Sequence, residues 1–67
     1  MIKLWTGKET QSFIRQLRKA GFQVDKVDAG FYKCLDGDTQ VFSAMKGMGG
    51  RGYICRLNSD YIQENTQ

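Results

Sequence analysis

The chain has 67 residues, two cysteines, no histidine, no proline and a formal net charge of +3. That length fits one domain at most, with a marginal core, and two cysteines cannot form a disulfide framework. No apolar run approaches the roughly 20 residues that span a bilayer.

The N-terminus lacks the long apolar segment of a secretory leader. The expectation is a soluble, cytoplasmic protein with reduced thiols and no membrane partner, for which homo-oligomerisation is one route to more buried surface. A compact chain beginning at Met1 fits a bacterial or phage accessory protein.

Residues 1–5 alternate apolar and polar and read as a short edge strand. Thr6-Gly7-Lys8-Glu9 fits a capping box, in which the Thr6 hydroxyl accepts the Glu9 amide hydrogen and the Glu9 carboxylate reaches back. The helix should run from about residue 7 to 20 and stop at Gly21. At 100° per residue, Phe13, Ile14, Leu17 and Ala20 form an apolar stripe that packs on a sheet. Lys8, Gln11, Ser12, Arg15, Arg18 and Lys19 fall opposite. Four of those six are cationic and none is acidic.

Phe22–Val27 reads as a strand in which Val27 breaks strict alternation. Asp28-Ala29-Gly30 is a turn, and Phe31–Leu35 the next strand. Asp36-Gly37 signals a hairpin into Thr39–Lys46. Two registers are open there. A two-residue turn pairs Tyr32 with Val41 and Phe31 with Phe42, whereas a three-residue turn pairs Tyr32 with Phe42.

Four glycines then fall within Gly47–Gly52, before a last strand with Tyr53, Cys55 and Leu57 on one face and Ile54 and Arg56 on the other. Asn58-Ser59-Asp60 offers cap residues for a short C-terminal helical turn. The expected fold is a single α+β domain over residues 1–62. One N-terminal helix packs on a three- to four-stranded antiparallel sheet, with a frayed tail at 63–67.

Charge is unevenly distributed. Residues 1–20 carry Lys3, Lys8, Arg15, Arg18 and Lys19 against Glu9, a net of +4, whereas residues 21–40 net −2 and residues 41–67 net +1. A basic helix beside an acidic hairpin suits an anionic partner.

Without histidine there is no Ser-His or Cys-His pair, and the commonest metal ligand is missing. Cys34 and Cys55 read as small buried hydrophobes on neighbouring strands, with Lys33 and Arg56 pointing to the other face. The Asp36-Gly37-Asp38 tripeptide lacks the remaining ligands of a calcium loop. No catalytic constellation emerges, no cofactor is implied, and the chain is read as a non-enzyme.

The glycine segment is either a mobile connection or an anion cradle of free backbone amides with Lys46 and Arg51. It is neither a Walker loop nor a dinucleotide fingerprint, because no strand-loop-helix context carries it.

The run Phe13-Ile14-Arg15-Gln16-Leu17-Arg18-Lys19-Ala20-Gly21-Phe22, followed by a glycine turn and an Asp-Gly hairpin, resembles the front half of HicA-type toxins over residues 12–46. The resemblance implies a double-stranded-RNA-binding-like scaffold with affinity for nucleic acid. The family's functional histidine would fall near Phe31-Tyr32, so its ribonuclease activity does not carry over. The glycine loop and the strand after it lie outside that pattern.

Two functions follow as expectations. The first is a non-enzymatic nucleic-acid-binding or nucleic-acid-associated module whose anion-binding residues are Lys8, Arg15, Arg18, Lys19, Lys46, Gly49, Gly50, Arg51 and Tyr53. The second is a protein-interaction module, a small inhibitor or regulatory factor docking an acidic protein surface.

Overall fold

The computed structural model describes residues 1–47, 49 and 52–62. It contains strand β1 (Ile2–Trp5), helix α1 (Gly7–Lys19), and strands β2 (Val24–Asp28), β3 (Phe31–Asp36), β4 (Thr39–Lys46) and β5 (Tyr53–Leu57). The strands form one antiparallel sheet in the order β1-β5-β4-β3-β2. This is one strand more than the upper expectation, because the N-terminal segment does pair, lying along β5 at the far edge from β2. The expected C-terminal helical turn is not present as a helix. The Asn58 carbonyl accepts from the amides of Tyr61 and Ile62, closing a single turn. The tail at 63–67 lies outside the described residues.

The capping box forms as the sequence demands. Glu9 N–H donates to Thr6 Oγ1 at 3.1 Å and Thr6 N–H donates to Glu9 Oε1 at 2.9 Å. The helix is capped at Ala20, with Gly21 following at φ +102°. Ile14 and Leu17 are buried and Phe13 is half-buried. Ala20 is exposed, because the helix has by then run off the sheet. Thr10 takes a place in the core instead. It is fully buried, its hydroxyl donates to the Thr6 carbonyl at 2.8 Å, and it lies 3.8 Å from Cys55 Sγ.

Chain geometry fixes how the helix crosses the sheet. β1 and β2 are the two edges, and α1 is the connection between them. Four gaps of roughly 4.8 Å make a span of about 19 Å. Thirteen residues at 1.5 Å each make a helix of about 20 Å. The chain leaves β1 at the end nearest the glycine segment and enters β2 at the opposite end, so α1 runs diagonally from corner to corner. Gly7 lies against Tyr53 at one end, and Arg18 donates to the Val24 carbonyl at 2.8 Å at the other. Beneath the diagonal, Val24, Cys34, Phe42, Ala44, Cys55 and Leu57 form the core with Ile14 and Leu17.

Neither expected hairpin register occurs. The turn residues are Gly37 and Asp38, with Asp36 paired to Thr39 and Leu35 to Gln40. An irregularity then shifts the ladder, so that Cys34 pairs with Phe42, Tyr32 with Ala44 and Phe31 with Met45. Val41 is the extra residue. It and Phe42 are both fully buried, which simple alternation forbids and a bulge permits. A second irregularity falls between Lys26 and Asp28, at the Val27 that broke the pattern. The two cysteines are not on neighbouring strands, since β4 separates β3 from β5.

Candidate anion-binding corner

A diagonal helix does not cover the whole of its own sheet face. The corner between α1 and the β2–β3 end nearest the glycine segment collects the cations. Registry sets its floor. Lys26 pairs with Tyr32, Tyr32 with Ala44, and Lys46 with Tyr53, so all five share the helix-bearing face. Tyr32 and Tyr53 stand with ring centroids 6.3 Å apart. Both are half-buried, whereas Lys26 and Lys46 are exposed.

The wall is one flank of α1. Gln11 Nε2 donates to the Tyr32 hydroxyl at 3.0 Å, which fixes the direction of that flank. Lys8, Arg15 and Arg18 lie three, four and seven residues from Gln11 and therefore face the same way. Lys8 and Arg15 are exposed, and no ion pair engages them among the described residues. Among the described residues the nearby acids are elsewhere. Asp25 and Asp28 pair in register with Lys33 and Phe31 on the opposite face, and Glu9 is committed to the helix cap.

Lys46 is held by more than its own strand. Its amide donates to the Gly30 carbonyl at 2.8 Å, and a Cβ added to Gly30 would lie 2.9 Å from the Lys46 Cβ. A glycine is required there by contact as well as by its φ of +72°.

Of the nine residues expected to bind an anion, Lys8, Arg15, Lys46 and Tyr53 converge on this corner. Arg18 is spent at its far end on the Val24 carbonyl. Lys19 is exposed on the outer side of the helix. Gly49 lies in the connection beyond Lys46, at φ +94°, and Gly50 and Arg51 lie outside the described residues. Lys26 was not singled out from sequence. Lys26 reads locally as one more strand charge, and only its pairing with Tyr32 brings it here.

Cys34 and Cys55 are both fully buried. Burial pushes both thiols above their ordinary value of 9.0. The carboxylates of Asp25 and Asp36 add to this for Cys34, and the Thr10 hydrogen bond partly offsets it for Cys55. Among the described residues no group of three His, Cys, Asp or Glu side chains could hold a metal ion, and no helix is long and apolar enough to cross a membrane. A shallow open depression lined by Trp5, Glu9, Ser12, Phe13 and Gln16 lies on the other helix flank and has no cation in its lining. No protein-family model, curated protein or solved structure matches the chain.

Proposed function

We propose that this chain is a small non-enzymatic nucleic-acid-binding module that holds a phosphate backbone in the corner between α1 and the β2–β3 edge. One observation carries the reading. Lys8, Arg15, Lys26 and Lys46 border a floor of two tyrosines, and among the described residues no carboxylate shares that floor. Cations around half-buried aromatic rings are the arrangement that tracks phosphates while offering faces on which bases stack. The HicA-type likeness of residues 12–46 supports the same partner class.

Fluorescence anisotropy with a mixed-sequence single-stranded oligonucleotide, taken across a salt series, tests the proposal. Binding should weaken with salt by roughly 0.7 units of log K per log salt for each phosphate engaged. Lys26→Ala and Lys46→Ala should each lower the affinity and flatten that slope by about one contact. Lys33→Ala, on the opposite face, should leave both unchanged. An oligonucleotide that fails to bind at about 50 mM salt, a concentration at which phosphate contacts are strong, refutes the reading and leaves an acidic protein surface as the partner.

A further inference from the structure

The depression lined by Trp5, Glu9, Ser12, Phe13 and Gln16 lies on the flank of α1 away from the cationic corner. Glu9, Ser12, Phe13 and Gln16 stand at i, i+3, i+4 and i+7 and so share one side of the helix. Trp5, at the end of β1, completes the lining. Its ring centroid is 4.9 Å from that of Phe13, with the planes tilted by 54°, and Phe13 rests in turn on the fully buried Phe42 at 5.1 Å. The aromatic wall is thus anchored in the core, whereas Glu9 and Gln16 are exposed. We propose that this depression seats the guanidinium of an arginine projecting from a partner protein.

Charge, hydrogen bonding and size select that occupant. Glu9 is the one charged residue in the lining. Its Oε1 accepts from the Thr6 amide at 2.9 Å, which holds the carboxylate in place without neutralising it. No ion pair engages Glu9 among the described residues. The Ser12 hydroxyl and the Gln16 carbonyl oxygen add further acceptors, and neither side chain makes a hydrogen bond among the described residues. A guanidinium brings five N–H donors and no acceptor, and its flat face stacks on an aromatic ring. An ammonium has neither the fork nor the flat face.

The volume is about 280 Å³ and open to solvent. Pockets that enclose most of a free small molecule span roughly 300–1,000 Å³. A smaller, open site suits a single side chain delivered by a larger body, and arginine is enriched among such anchors. The inference uses none of Lys8, Arg15, Lys26 and Lys46, so it stands or falls apart from the proposed nucleic-acid binding.

Titration of the full chain with Nα-acetyl-arginine N-methylamide at constant ionic strength, followed by nuclear magnetic resonance, tests it. The indole resonance of Trp5, the one tryptophan of the chain, should shift saturably together with the Glu9, Ser12 and Gln16 amides. Half-saturation is expected on the order of 10 mM, as befits one isolated side chain. The uncharged citrulline counterpart should bind about 10-fold more weakly. Glu9→Gln keeps the capping box but removes the charge, and should weaken binding about 5-fold or more. Gln16→Lys, a good helix former at an exposed position, should abolish it. Melting temperatures report that both variants remain folded. A titration without saturation by about 100 mM overturns the proposal. So do shifts centred on Asp36 and Asp38, a citrulline compound that binds equally well, or a folded Glu9→Gln variant with unchanged affinity. A lysine counterpart that binds as tightly overturns the assignment to a guanidinium.

Discussion

The two faces of this sheet are built from the same five strands and treat their side chains in opposite ways. Under α1, Phe42, Ala44, Cys34 and Cys55 are wholly shielded. On the reverse, Met45, Ile54 and Leu4 keep much of their surface. One helix about 20 Å long can cover only a diagonal band of a five-stranded sheet. Charge therefore gathers where the band misses on the near side, and apolar surface persists on the far side. Which neighbour a strand residue has is decided less by its identity than by whether the helix passes over its row.

The contrast is broken most forcefully by truncation. Phe42→Ala should cost about 3–5 kcal/mol, since the ring is fully buried and packs 5.1 Å from Phe13. Met45→Ala, three residues along the same strand, should stay within about 0.5 kcal/mol. Urea denaturation of the pair measures both, and comparable losses would erase the distinction between the faces.

An intermediate effect is expected at Gly52, at the end of the sheet nearest the glycine segment. Its φ is +77°, and a Cβ there would lie 2.9 Å from the Trp5 carbonyl oxygen. Gly52→Ala should cost about 1–3 kcal/mol, combining backbone strain with displacement of β1. Amide exchange should show the loss concentrated at β1 and β5. Uniform loss across all strands would contradict that placement.

The smallest effect is a slope with pH. Burial raises both thiols of the covered face above 9.0. Tyr61 is raised above 10.0, chiefly by donating its hydroxyl proton to Asp36 at 3.0 Å. The folded chain thus holds these protons more tightly than the unfolded one. The stabilisation is present below the ordinary values and is lost as pH rises through 9 and beyond. Urea midpoints taken between about pH 7 and 10 should fall. A flat or rising profile would mean that the thiols are less shielded than their positions imply.

Local signals in the sequence were faithful where the cause was local. The Thr6–Glu9 box, the α1 period, the face assignment of β5 and the break at Val27 all depend on residues a few positions apart. The hairpin register did not yield, because the Val41 bulge inserts a residue that turn chemistry cannot announce. The adjacent apolar pair Val41-Phe42 was its one trace. The pairing of β1 with β5 was illegible for a related reason, since no short-range pattern chooses a partner about fifty positions away. The site followed suit. Helix cations were readable from periodicity, whereas Lys26 joined them only through registry.

The order β1-β5-β4-β3-β2 has a kinetic meaning. β2 to β5 follow one another as hairpins, each closing over a short loop. β1 alone waits for a distant strand, and its first bond, from the Met1 amino group to the Leu57 carbonyl, joins residues 56 apart. Closing so long a loop is entropically slow, so the four-stranded meander should assemble first and β1 should zip on last. Joining Leu57 to Met1 through a tight turn and opening the chain after Ala20 would make every strand contact sequential. The same sheet would then be reached by a markedly faster route.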